Sequence, residues 1–226
     1  MNARAAVDWT AIDTVLLDMD GTLLDLRFDN WFWQELIPHR YAARHGIEVE
    51  AARRLLAPKF RAAAGTIDWY CIDHWTRELD LPIGAIKRET RGAVNFLPGA
   101  ERFLAGLRAR GKRRVLITNA HPETLAIKNL QVDLARHVDA SYSAHPFALP
   151  KEHPDFWGRL RLCEPFEPGR TLFVDDNLEV LEAARRYGIA HLRAVRRPDS
   201  GRPPQDTRDF AAIDRVADLL DDPGDA

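Results

Sequence analysis

The sequence predicts an α/β protein: a three-layer, Rossmann-like sheet of five parallel strands, with a helical unit inserted after the first strand. Three observations carry this expectation. Five short runs rich in Val, Ile, Leu and aromatic residues, at 14–18, 114–118, 139–143, 171–175 and 191–195, have the length and composition of buried strands. Amphipathic segments separate most of them, and strand alternating with helix argues for a parallel sheet covered on both faces. Between residues 27 and 93 no run reads as a strand, and roughly 65 residues is far longer than an ordinary connection. The expected division is 1–26 and 94–226 for the sheet-based core, with 27–93 as the inserted unit.

Taken in order, the first strand lies in "TVLLDMDGTLLD", where an apolar run stops at Asp18 and Asp20. The inserted stretch holds four helical segments: "NWFWQELIPHRYAARHG", "EAARRLLAPKFRAAAG", "WYCIDHWTRELD" and "IGAIKRETRG". In "GAERFLAGLRARG", Ala100, Phe103, Leu104 and Leu107 recur at helical spacing, with Gly111 as the C-terminal stop. Val180, Leu181, Ala184 and Tyr187 form a similar stripe before Gly188. "RRPDSGRPPQD" (196–206) reads as a turn-rich linker, and Phe210, Ile213, Ala217 and Leu220 as a terminal helix docked on the core. No internal repeat or low-complexity tract interrupts this order.

Composition excludes several classes. Thirty-two basic against 34 acidic residues leave a formal charge of −2, so no polyanion-binding surface and no nucleic-acid polymer as partner are expected. Cys71 and Cys163 are too few and too far apart for a disulfide framework or a metal site. No segment approaches the ~18 apolar residues of a membrane span, and the opening "MNARAAVDWTAID" lacks the apolar core of a signal peptide. A soluble, cytoplasmic protein is expected, with no membrane partner, as a monomer or small homo-oligomer.

The chemistry begins at the two aspartates. Side chains two apart on a strand point the same way, so the Asp18 and Asp20 charges repel, and a divalent cation is the obvious device to make that useful. In open parallel sheets, ligands bind outside the carboxyl ends of the strands, where "DMDG" falls. The simpler reading is an Asp-rich strand-to-turn junction with Gly21 at a positive φ.

"DMDGT" resembles the first motif of the haloacid-dehalogenase superfamily of phosphohydrolases, and three further motifs follow in that family's order. "RVLITNA" ends a strand in Thr118, "PKEHPDFW" supplies Lys151 after the third strand, and "TLFVDDN" ends the fourth with Asp175 and Asp176. Each has an ordinary alternative: Thr118–Asn119 as a turn, Lys151 as a surface lysine, Asp176–Asn177 as a helix cap. The resemblance implies Asp18 as nucleophile, Asp20 as general acid–base, and Thr118, Asn119 and Lys151 as holders of the phosphoryl group. It also implies Mg²⁺ on Asp18, the backbone carbonyl of Asp20, and Asp175. Asp20 favours phosphate esters over halides, since a departing halide needs no proton. The fourth motif departs from the commonest pattern: Val180 stands where a second acid is usual, and Asp176 beside Asp175 leaves open which of the two touches the metal.

The inserted unit matches in position the helical cap of many superfamily members. "FDNWFWQELIP", "DWYCIDHW", "TNAHPETLAIK", "PKEHPDFW" and "TLFVDDN" together resemble the superfamily's bacterial GMP/IMP nucleotidases, which implies hydrolysis of purine 5′-mononucleotides. The alternatives are a phosphatase for a sugar phosphate or phosphoglycolate, and a silent phosphate-binding module. Trp31, Phe32, Trp33, Trp69, Tyr70 and Trp75 are for the most part expected to be core, with one or two, Trp69 and Tyr70 first, facing a base. His121 and Lys128 are candidates to approach substrate, and Asp25 and Asp29 to cap the first inserted helix.

Overall fold

The computed structural model of the protein describes residues 7–220. At its centre Thr14–Leu17 forms β1, four residues buried on both faces. β2 (Arg113–Thr118), β3 (Ala140–Ser143), β4 (Thr171–Asp175), β5 (His191–Val195) and β6 (Ala212–Ile213) complete an all-parallel sheet in the order β3-β2-β1-β4-β5-β6. The chain builds outward from β1 to β3, then returns to place β4 on the other side of β1. Connections diverge there, which opens a crevice at the carboxyl ends of β1 and β4.

Alternate residues of each central strand feed two separate cores. Val15 and Leu17 join Leu116, Leu172 and Val174 on one face, with Phe103, Leu104 and Leu107 of α6 (Ala100–Ala109). Leu16 joins Val115, Ile117 and Phe173 on the other, with α8 (Pro154–Cys163) and α9 (Leu178–Tyr187) supplying Phe156, Trp157, Leu160, Val180 and Leu181. Burial on both faces is why these strands read as unbroken apolar runs.

The sheet has six strands where five were expected. Ile213, assigned above to a terminal helix, pairs instead through β6 with Val195, and among the described residues a 3₁₀ turn, Val216–Leu219, follows. The open edge of β5 offers unpaired backbone groups, and satisfying them outweighs the helical pattern. The turn docks on α6 so closely that a Cβ on Gly106 would lie 2.6 Å from Leu220.

Residues 27–93 contain no strand. α1 (Arg27–Trp31) runs through a π-helical segment (Phe32–Leu36) into α2 (Ile37–His45), followed by α3 (Val49–Ala63), a 3₁₀ turn (Ile67–Tyr70), α4 (Ile72–Leu79) and α5 (Ile83–Thr90). The π segment precedes Pro38, which cannot donate to the Gln34 carbonyl; Arg53 of α3 donates to that carbonyl instead. The stretch 196–206 is irregular, as expected, yet tied down: the Pro198 carbonyl accepts from Leu26 N (2.9 Å), and Asp199 accepts from Asn30 Nδ2 (2.7 Å). No helix among the described residues is long and apolar enough to cross a membrane.

Candidate active site

The carboxyl ends of three adjacent strands supply the centre of the crevice. Asp18 follows β1, held by its N–H to the Val174 carbonyl (3.0 Å), while Thr118 ends β2 and Asp175 ends β4. Lys151, in the loop before α8, is buried and donates to Asp18 Oδ1 (2.5 Å), Asp175 Oδ2 (2.7 Å) and the Ile117 carbonyl (3.3 Å). Carboxylate oxygens of Asp18, Asp175 and Asp176 lie within 4.8 Å of one another. Burial pushes the Asp18 carboxyl up to about 7, with Asp175 adding to the rise and Lys151 opposing it. Burial also raises Asp175, and raises Asp176 well above the usual carboxylate range with Asp175 and Asp18 contributing. Burial alone would lower Lys151; the two facing carboxylates reverse that and raise it. One ammonium among three crowded carboxylates leaves an excess of negative charge, and the donors are all hard oxygens. That set fits Mg²⁺.

Asp20, two residues on, lines the same cavity as Asp18. Gly21 makes the turn at φ +91°, and a Cβ there would lie 2.6 Å from the Asp176 carboxyl, so this position excludes a side chain twice over. Asp20 Oδ1 accepts from Lys128 Nζ of α7 (Pro122–Val132) at 2.6 Å. Lys128 also donates to Asp29, which takes a second bond from Lys87 Nζ of α5 (3.1 Å). Asp29 was expected to cap α1; it instead joins a buried chain, Asp20–Lys128–Asp29–Lys87, because two desolvated ammoniums need a carboxylate between them. Asp25 is not the N-cap either, a position Leu26 takes with no side-chain bond, but it accepts from Arg27 N (3.0 Å) at the start of α1. Burial pushes the Asp20 carboxyl up to about 6, with Lys128 opposing; Lys128 and Lys87 overcome burial at Asp29 and bring it down to about 2.

Glu152 was missed. It accepts from Asn119 Nδ2 (2.8 Å), Tyr70 Oη (2.8 Å) and Asn177 Nδ2 (3.2 Å), while Asn119 Oδ1 accepts from Lys151 N (2.8 Å). The Asn119 amide thus fixes the Lys151 backbone, and Glu152 fastens the inserted helices to the core. Only its place beside Lys151 hinted at this. The partners come from distant segments, so no local pattern could reveal them.

A cavity of about 380 Å³ opens over these groups. Asp18, Asp20, Thr118, Asn119, Lys151, Asp175 and Asp176 of the core line it, together with Asn30, Trp33, Gln34, Phe60, Trp69 and Tyr70 of the inserted helices. Phe32 and Trp75 are fully buried, as expected of core aromatics, and Trp31 is exposed without lining the cavity. His121 does not line the cavity either: its Nδ1 accepts from Glu123 N (3.2 Å), which makes it the N-cap of α7. Asn177 caps α9 in the same way (3.0 Å), leaving the Asp176 carboxylate free to face the other two acids.

The haloacid dehalogenase-like hydrolase family model matches residues 12–188. The chain is 40% identical over 195 residues to the GMP/IMP nucleotidase YrfG of Escherichia coli (strain K12), covering 86% of this chain and 88% of that protein. It is 29% identical over 191 residues to the phosphoglycolate phosphatase of Nitrosospira multiformis, covering 78% and 80%. Among solved structures, a phosphatase from Thermococcus onnurineus superposes with a TM-score of 0.75 at 21% identity, over 92% of this chain and 96% of that one. That last likeness is one of fold.

Proposed function

The chain belongs to the haloacid dehalogenase-like hydrolases, and from that premise we propose that it is a Mg²⁺-dependent phosphatase releasing phosphate from purine 5′-mononucleotides, GMP and IMP first. The observation that carries the reading is the meeting of Asp18, Asp175, Asp176 and Lys151 in a cavity that Trp33, Phe60 and Trp69 also line.

A phosphate monoester resists hydrolysis because its anionic oxygens repel nucleophiles, so catalysis is positioning and charge neutralisation. Asp18 attacks phosphorus, forming an acyl phosphate as the ester P–O bond breaks. Asp20, held by Lys128, gives its proton to the departing ribose oxygen. It then takes a proton from the water that attacks the aspartyl-phosphate, and this step frees Asp18 and inorganic phosphate. Thr118 Oγ1, the Asn119 backbone N–H and the Lys151 ammonium hold the non-bridging oxygens. Asp18, Asp175 and the Asp20 carbonyl, with Asp176 beside them, would hold Mg²⁺, which would supply positive charge against phosphate and carboxylates together. Residues 27–93 act as a cap that closes the cavity over the leaving group.

Selectivity then rests on the cap wall. Trp33, Phe60 and Trp69 offer aromatic faces to a base, and stacking is worth about 1–3 kcal/mol per base. The Asn30 and Gln34 amides on the same wall are candidate donors to a 6-oxo group, and leaving such a donor unpaired against AMP costs about 1–3 kcal/mol. Phosphate release should therefore follow the order GMP and IMP, then AMP, then pyrimidine nucleotides and phosphoglycolate in kcat/KM. Equal rates across that panel would leave a general phosphatase and remove the nucleotidase reading.

A further inference from the structure

Cys71 and Cys163 were expected to be too few and too far apart for a metal site, yet Cys71 meets two histidines in the fold. One ligand atom each from Cys71, His121 and His145 lies within 4.8 Å of the others. Tetrahedral zinc, with Zn–S of about 2.3 Å and Zn–N of about 2.0–2.1 Å, needs such atoms about 3.5 Å apart, so modest side-chain rotation closes the set. We propose that Cys71, His121 and His145 form a second cation site, suited to Zn²⁺, that pins residues 27–93 to the loops after β2 and β3.

Four observations support it. His145 Nε2 is buried with no hydrogen-bond partner, a group that native structures rarely leave unexplained. The His121 and His145 rings meet edge to face with centroids 4.9 Å apart, so the two imidazoles already face one another. Cys71 is the N-cap of α4, and its Sγ accepts from His74 N (3.4 Å), which holds the sulfur at that helix end. Asp73 Oδ2 lies 3.6 Å from His121 Nε2, beyond a hydrogen bond but near enough for side-chain rotation to make it a fourth ligand. Thiolate and carboxylate together balance the charge of a divalent ion, and binding sends the thiol proton to solvent.

This donor set is chemically distinct from the catalytic one. Sulfur and imidazole select Zn²⁺, whereas the three carboxylates offer only hard oxygens. None of the three residues lines the cavity, but their neighbours Tyr70 and Ala120 do. A bound ion would tie the segment carrying Tyr70 to the strand ends carrying the phosphate-binding groups, restraining the cavity from opening. His121 gives up the most, because a metal-bound imidazole competes with its cap bond to Glu123 N. The inference holds whatever ester the enzyme cleaves.

Cobalt titration of the intact protein tests it, since a thiolate bound to Co²⁺ gives a charge-transfer absorption that carboxylates do not. About one equivalent of Co²⁺ should produce the band, Zn²⁺ should displace it, and excess Mg²⁺ should not. Cys163→Ser and Asp175→Asn should keep the band. Cys71→Ser should abolish it, and His145→Gln, at a nitrogen with no bond to lose, should weaken Co²⁺ binding by roughly tenfold or more. No band in the wild type, a band surviving Cys71→Ser, or full affinity in His145→Gln overturns the site.

Discussion

At the scale of single residues, the centre of the site is a problem in charge. Asp18 is buried beside Asp175 and Asp176, and Lys151 offsets only part of the repulsion. Asp18→Asn removes a charge that burial disfavours and keeps the shape, so turnover should fall by at least about a thousandfold. The metal-free melting temperature should hold or rise. Steady-state phosphate release and a thermal melt on the same sample check both halves; even a tenth of wild-type turnover would rule out Asp18 as nucleophile. Gly21 faces a different constraint, since its φ of +91° and the Asp176 carboxyl 2.6 Å from any added Cβ leave no room for a side chain. Gly21→Ala should cost about 1–3 kcal/mol in denaturant unfolding and displace Asp176, weakening Mg²⁺ activation.

At the scale of elements, the inserted helices carry two kinds of aromatic. Trp75 of α4 is 1% exposed, packs against Phe60 (5.0 Å between centroids) and Trp33 (5.8 Å), and donates Nε1–H to the Trp69 carbonyl. Trp75→Ala should cost about 3–5 kcal/mol, read by urea unfolding. Trp69 is 37% exposed and lines the cavity, so Trp69→Ala should change stability little and raise KM for GMP more than for a small phosphate ester. Were the two variants to behave alike, the separation of cap core from base platform would be wrong. Lys87 shows how tightly this layer is built: its ammonium lies 4.2 Å from the Phe32 ring centroid while bonded to Asp29, so the buried polar chain that reaches Asp20 is anchored in the aromatic core.

At the scale of the whole molecule, the buried carboxylates tie stability to pH, and a cation bound among them would change that dependence. Without a cation, Asp18 holds its proton up to about pH 7, and Asp175 and Asp176 are shifted in the same direction, whereas an unfolded Asp releases its proton near pH 3.9. Between those limits the folded chain binds more protons than the unfolded one, so metal-free stability falls as pH rises through the window. A cation that prefers the ionised carboxylates reverses the slope. The melting-temperature gain from Mg²⁺ over EDTA should therefore grow from about pH 5 to about pH 8, as scanning calorimetry would register. A gain independent of pH would place the ion elsewhere.

Amino-acid order alone determined the strands that form the centre of the sheet, because residues buried on both faces leave unbroken apolar runs bounded by turn signals. It also placed Asp18, Thr118, Lys151 and Asp175 at or beyond strand ends, since such positions read directly from where each run stops. Tertiary structure decided what depends on partners distant in the chain. The sixth strand exists because β5 has an open edge, a fact invisible in "DFAAID" itself. Asp29 left its expected capping role because Lys87 and Lys128, 58 and 99 residues away, arrive desolvated beside it. Glu152 gained its place, and Cys71 its two histidines, in the same way. Local spacing encodes elements, whereas the satisfaction of buried charge is settled only when those elements pack.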